Sequence, residues 1–352
     1  MNNAWREPLQ QRRRRILGRV VAMGLMAIML PLAVLAGGTQ NEKSAPASLR
    51  FGILPIGSAA ESLQQWRPLL DELQKQIDMP VTTVSVSSYT GLSSMIGAQG
   101  VDVAFLSGRL AVEAVAHQHM RVFAQFVRSD GAKGNVAMLV VRGDGPIHSL
   151  DDMLSRSGQW RYARSEPLSV SGYMMPEAYV FAPRGINSDT FFASVHVGGH
   201  QANLLSVVNR DADVASSNNP DLDLFRHKFP TEASQLKVIW RSSLIPSGVF
   251  VVREGLAVSV RQRLTDFILA YGHASGDNGN RERATLARIP DLGGFAPQDN
   301  HVLQPFVDMQ YVLLRQQAEH GQWVSPQARE ARLAQIESDY RRDSRAFSPA
   351  GK

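Results

Sequence analysis

The chain has 352 residues, of which 44% are hydrophobic and 20% charged, with 28 Gly, 18 Pro and no Cys. That composition excludes a disordered, collagen-like or coiled-coil protein, and the missing cysteine excludes disulfides, thiolate metal sites, iron–sulfur clusters and a cysteine nucleophile. The formal charge of +5 is carried entirely by residues 1–36, where six arginines face the single acid Glu7. The neutral remainder has no electrostatic reason to bind nucleic acid or an anionic membrane surface.

Arg12 to Arg15 precede an apolar run from Val20 to Ala36 that ends in Val34-Leu35-Ala36. A basic segment, an apolar segment and a small-residue cleavage site predict a secretory signal over residues 1–36 and hence an exported chain. An uncleaved anchor is the alternative, since the apolar run sits at the short edge of a membrane span. Leu35-Ala36-Gly37-Gly38 offers no cysteine to acylate, so a lipoprotein is excluded. Residues 37–48, rich in small residues and proline, read as a flexible leader.

From residue 49 the pattern predicts strand Leu49–Leu54, closed by Pro55 and Gly57, then helix Glu61–Ile77, strand Val81–Val86, helix Thr90–Ala98 and strand Val101–Leu106. Helix Val112–His117 and strands Val122–Val127 and Val136–Val141 follow. A second series runs through strand Trp160–Ala163, helix Gly172–Phe181, strand Ala193–Val197, helix Ala202–Val208 and strand Asp213–Ser216. Strands Leu236–Trp240 and Gly248–Val252 lead into helices from Val258 onward. Alternation of this kind predicts parallel sheets covered on both faces, and the length suits two lobes. One constant offset sets Tyr89 on His200 and Asp102-Val103-Ala104 on Asp213-Val214-Ala215. If that repeat is structural, Tyr89 and His200 stand at matching rims of two lobes, where ligands of open α/β sheets bind.

The stretch Ser165-Glu166-Pro167-Leu168-Ser169-Val170-Ser171-Gly172-Tyr173 joins a strand to a helix. Ser169 and Ser171 supply hydroxyls, Gly172 opens the backbone to a ligand, and the helix start adds unpaired N–H groups, which together suit an anion. The plain alternative is a capping serine. His200, after Gly198-Gly199, and Tyr89, in Ser87-Ser88-Tyr89-Thr90-Gly91, are further donors; structural roles compete for both. Ser58 and Ser107-Gly108 read first as caps. The chain has no phosphate-binding or dinucleotide glycine motif, no zinc-binding helix motif and no nucleophile elbow. No enzyme activity, metal or cofactor is expected.

Leu49-Arg50-Phe51-Gly52-Ile53-Leu54-Pro55, Ser88-Tyr89-Thr90-Gly91, Val101-Asp102-Val103-Ala104-Phe105, Glu166 through Pro176, Gly199-His200-Gln201-Ala202-Asn203, Val214 through Asn219 and Val238 through Pro246 carry a resemblance. In order and spacing, from about residue 49 to 325, they resemble the periplasmic solute-binding component of phosphonate and phosphite ABC importers. The resemblance implies a type II periplasmic binding fold, with two α/β lobes, two crossover strands and a cleft between them. Lobe 1 would comprise residues 49–140 and 249–352, and lobe 2 residues 141–248, hinged near Val136–Val141 and Leu244–Val252. It implies that Ser169, Val170 through its N–H, Ser171, His200 and Tyr89 bind a small phosphorus oxyanion. The expected partner is an inner-membrane ABC permease, and the expected state a periplasmic monomer. A membrane-anchored sensor built on the same fold is the alternative. Members that take aminoalkylphosphonates have acids where this chain has Pro220 and Gly248, and an aromatic where it has Leu106. That argues against an ammonium-bearing ligand unless the neighbouring Asp221 reaches the site.

Overall fold

A computed structural model describes residues 48–54 and 58–347. The expected signal and leader up to residue 47, and residues 55–57, lie outside the described residues. The first lobe opens with β1 (Leu49–Ile53), α1 (Ala59–Ile77), β2 (Val81–Ser85), α2 (Tyr89–Gly97), β3 (Val103–Leu106), α3 (Gly108–His117) and β4 (Met120–Arg128). The second holds β5 (Gly134–Arg142), α4 (Leu150–Leu154), β6 (Arg161–Arg164), α5 (Ser188–Phe191), β7 (Ser194–Val197), α6 (His200–Val208), β8 (Val214–Asn218), α7 (Asn219–Lys228), α8 (Pro230–Ala233) and β9 (Leu236–Pro246). The chain then returns through β10 (Val249–Arg253), α9 (Val258–Ala270), α10 (Gly276–Leu286), β11 (Leu292–Pro297), α11 (Gln304–His320) and α12 (Pro326–Phe347).

Two sheets result, a six-stranded one ordered β11-β4-β10-β3-β1-β2 and a five-stranded one ordered β7-β6-β8-β5-β9. They are mixed, not parallel as the alternation predicted. β1 pairs in parallel with β2 and β3, and β6 with β7 and β8, but β10 and β5 run antiparallel to their neighbours. The cause is the double passage between lobes. A strand leaving one sheet at its cleft end enters the other from the cleft, and so runs against the strands that end there. The first passage occupies residues 129–133, because β5 already pairs with β8 and β9; it precedes the expected boundary at 140. The second is Ser247 and Gly248, between β9 and β10.

Local chemistry explains most element starts. Ser58 and Glu61 form a reciprocal capping box on α1, and Ser88 caps α2 by accepting from Gly91 N at 2.9 Å. Trp66 on α1 packs on Phe51, Phe105 and Phe250 with ring centroids 5.6–5.8 Å apart, which anchors the first sheet. In the second lobe Tyr162 stacks on Phe192 and meets Phe181 edge-on. α7 was missed in the sequence because Pro220 reads as a breaker, yet it stands in the first turn, where its absent N–H costs nothing. β11 was hidden by Gly293 and Gly294, which weaken the strand pattern.

The internal repeat is physical. Arg50 clamps Asp102 through its N, Nε and terminal nitrogen at 3.0, 2.8 and 2.6 Å, and Arg161 clamps Asp213 identically at 2.8, 3.0 and 3.0 Å. Each bidentate pair ties the start of one strand, β1 or β6, to the residue just before its parallel neighbour, β3 or β8. Tyr89 and His200 are the first residues of α2 and α6, at the matching places.

Candidate functional site

The strand ends and helix starts of both lobes enclose a cavity of about 740 Å³. Tyr89, Ser169, Val170, Ser171 and His200 all line it, so the five residues named from sequence for the anion reach one place. Tyr89 comes from the first lobe and the other four from the second. Ser58, Ser107 and Gly108 also reach the lining. Neither Ser107 at the start of α3 nor Gly199 at the start of α6 makes a side-chain cap, so both helix starts face the cavity without an internal acceptor.

The serine stretch does not open a regular α-helix, as expected over Gly172–Phe181. Val170–Met174 and Glu177–Phe181 are wound wider, as π-helical turns either side of Pro176. Pro176 has no N–H to donate to the carbonyl four residues back, Gly172. That carbonyl is free to accept from Ser165 N at 3.1 Å and Ser216 Oγ at 2.6 Å. The wide turn is thereby stitched to the strand before it and to β8, and Ser169 and Ser171 are held in fixed places. Gly172 serves a purpose other than the one read from sequence. A Cβ there would lie 2.3 Å from Ser165 Oγ and 2.8 Å from His200 Cε1. The glycine makes room for those side chains, not for a ligand.

Around this turn the donors bond one another. Ser169 Oγ accepts from Gly172 N at 3.2 Å, Asn218 Nδ2 donates to Ser171 Oγ at 3.1 Å, and Ser171 Oγ lies 3.4 Å from His200 Nε2. Ser169 and Ser171 are 1% and 7% exposed, so their hydroxyls act in a dry setting where hydrogen bonds to charge are strong. Burial pushes the Tyr89 phenol up to about 12, aided by the charges of Asp221 and Glu166 and opposed by its hydrogen bond with Ser169. At neutral pH it is a donor.

The two cations in the lining are already engaged. Arg128 Nε bonds Asp291 at 2.5 Å, and Lys228 Nζ bonds Glu61 at 2.9 Å. The remaining polar side chains named from sequence, Tyr89, Ser169, Ser171 and His200, form no ion pair among the described residues. Of the lining acids, Glu61 and Asp291 have these cations, whereas Asp221 has no ion-pair partner among the described residues. Its contacts are Gln201 Nε2 at 3.3 Å and the capping Asn218, which accepts from its N–H at 2.8 Å. No group of three or more His, Asp or Glu side chains among the described residues is placed to hold a metal.

Residues 51–303 match the family model described as ABC transporter, phosphonate, periplasmic substrate-binding protein. The chain belongs to this family. It is similar to the phosphonates-binding periplasmic protein of Escherichia coli, 32% identical over 300 residues that span 85% of this chain and 84% of that one. It is also similar to a phosphate-import protein of Mycolicibacterium smegmatis, 24% identical over 229 residues, 62% of this chain and 70% of the relative. A solved binding-protein component of an ABC phosphonate transporter from Pseudomonas aeruginosa is 28% identical with a TM-score of 0.78, covering 85% of this chain and 97% of that one. The fold is the type II periplasmic binding fold, and the family is the phosphonate-binding component of an ABC importer.

Within this phosphonate-binding fold the wall of the cavity differs from the one read in sequence. Leu106 is fully buried and does not line it; Phe105, backed by Trp66 and Phe126, does. Gly248 cannot carry an acid in place, since its Cβ would meet the Phe105 ring at 2.7 Å and Leu106 O at 2.8 Å. Asn135, Gln201 and Asn218 are lining residues that sequence reasoning did not single out. Asn218 had a signal: a run of buried polar residues, Ser216 to Asn218, ending a strand. Asn135 had none, because it enters by way of the passage between lobes.

Proposed function

We propose that the chain is exported, acts as a monomer, and delivers a phosphonate, phosphite or similar small phosphorus oxyanion to an inner-membrane permease. Ser169, Ser171, Tyr89 and His200, with the N–H of Val170, hold the anionic oxygens. The observation that carries this reading is the convergence of those five residues from two lobes on one cavity whose cations are both neutralised. Fixed neutral donors bind an oxyanion without needing a countercharge, because hydrogen bonds to a charged group are each worth about 1.5–3 kcal/mol net.

Discrimination among ligands falls to the fourth substituent on phosphorus. Phe105, Val170 and Pro220 offer an apolar wall that suits hydrogen or methyl. Asp221, buried and without a cation, stands on the same wall and supplies the carboxylate that an ammonium would need. Calorimetric titration with phosphite, methylphosphonate, aminoethylphosphonate and phosphate tests the class; phosphate is included because one relative is a phosphate-import protein. At least one should bind, and Ser171→Ala or His200→Ala should weaken it by about 1–3 kcal/mol while the protein stays folded. No binding of any of the four, or unchanged affinity in both variants, would overturn the reading. N-terminal sequencing of the exported protein should find a start near Gly37; an intact Met1 would refute signal removal.

A further inference from the structure

The loop that carries the serines also reaches across the cleft. The Glu166 carboxylate accepts from Tyr89 N at 3.1 Å, from Thr90 N at 3.2 Å and from Thr90 Oγ1 at 2.8 Å. Those are the first two N–H groups of α2, in the opposite lobe. α2 does not need them satisfied from outside in order to start, since Ser88 already caps it. Two further contacts join the lobes: Ser107 Oγ donates to Leu168 O at 3.4 Å, and Lys228 on α7 bonds Glu61 at 2.9 Å.

Glu166 is linked to the anion site through its main chain as well. Its carbonyl accepts from Ser169 N at 2.9 Å, and Pro167 stiffens the turn between them. Behind it, Arg164 donates to Ser165 O at 3.0 Å and pairs with Asp189 at 2.7 Å, so the base of the loop is held by the second lobe. One residue therefore joins both halves of the donor set, Ser169 through its backbone and Tyr89 through its side chain. The three hydrogen bonds can exist only when the lobes are together.

On the reading that Ser169, Ser171, Tyr89 and His200 hold the ligand, we propose that Glu166 is a positioning residue that latches α2 to the serine loop across the closed cleft and so governs how fast the ligand leaves. Its carboxylate fills the positive end of α2, which makes that helix start the seat of a side chain from the other lobe and not of the ligand. A contact made only after closure slows opening and leaves encounter unchanged, so its loss appears in the dissociation rate. Glu166→Ala should raise the dissociation rate of methylphosphonate at least tenfold, with an association rate within about twofold of wild type. Thr90→Val, which removes only the hydroxyl donor, should shift the same rate in the same direction by less. Glu166→Gln, which keeps an acceptor oxygen, should recover part of the loss.

The chain has no cysteine, so Arg67→Cys on α1 and Arg226→Cys on α7, both on exposed side chains, give a clean pair of spin-label sites, one in each lobe. Without added ligand, the label separation in Glu166→Ala should exceed that in the otherwise unaltered labelled protein. Equal separations, or a dissociation rate unchanged in Glu166→Ala, would overturn the latch. Failure of the binding reading looks different: wild type would not bind methylphosphonate or the other oxyanions, while the label separation would still report on the latch by itself.

Discussion

Gly172→Ala puts the packing of the serine turn to a direct test. The added methyl would stand 2.3 Å from Ser165 Oγ, 2.5 Å from Ser165 Cβ and 2.8 Å from His200 Cε1, so neighbours must yield by up to an ångström. Ser165 is not free to yield: it is 2% exposed, and its N–H bonds Gly172 O at 3.1 Å. Overpacking of this kind costs about 1–3 kcal/mol of stability. The displacement also moves His200 away from Ser171, whose contact is already 3.4 Å, and twists the turn that presents both serines. Misaligning one charged hydrogen bond to the ligand would weaken binding by about 1.5–3 kcal/mol, roughly ten- to a hundredfold in Kd. The assay is calorimetric titration with the tightest of the four oxyanions, alongside a thermal melt. Gly199→Ala is the control for stability: its backbone, at φ −71° and ψ 158°, accepts any residue, and its Cβ would meet nothing within 4 Å. Gly172→Ala should melt a few degrees lower and bind at least tenfold more weakly, while Gly199→Ala melts as wild type. Wild-type melting and affinity in Gly172→Ala would refute the account of the turn.

Asn218→Ala removes both the cap on α7 and the donor to Ser171, and should cost about 1 kcal/mol of stability as well as affinity. Asn218→Asp keeps the cap but sets a carboxylate beside Ser171, so its melt should be retained while binding is lost; a parallel loss of both would contradict the division of roles. Burial raises the Glu177 carboxyl to about 7, with Ser188 and Arg164 opposing and Asp189 adding to the rise. Because the folded protein holds that proton more tightly than the unfolded chain, the penalty is absent below about pH 4.5, grows as pH rises, and is complete above about 7, at about 3 kcal/mol. Chemical denaturation at pH 5 and pH 8 should show wild type losing stability that Glu177→Gln retains, and equal slopes would exclude Glu177 as the cause. Asp221→Asn should weaken aminoethylphosphonate about tenfold more than methylphosphonate, as expected for loss of a charged pair. Equal changes for the two ligands would take Asp221 out of the selective wall.

Sequence alone determined the lobed α/β class, the neutral chain that follows the basic residues 1–36, and five residues that line one cavity. These were legible because they are local facts: apolar periodicity marks strands and helices, small polar residues gather at strand-to-helix turns, and a repeated Tyr or His at a helix start survives as a pattern. Even the paired Arg50–Asp102 and Arg161–Asp213 clamps sit at one constant offset in the chain. Strand direction was decided elsewhere, by where the chain crosses between lobes, which no window of residues records. The same holds for the wall of the cavity. Leu106 and Phe105 are neighbours in sequence and both buried, but the pleat sends them to opposite faces of the sheet, and only Phe105 also borders the cavity. Gly172 is constrained by the packing of Ser165 and of the more distant His200, and Glu166 meets Tyr89 and Thr90 of the other lobe. A donor can be named from its residue type, but the acceptor it meets is chosen by the packing of two lobes.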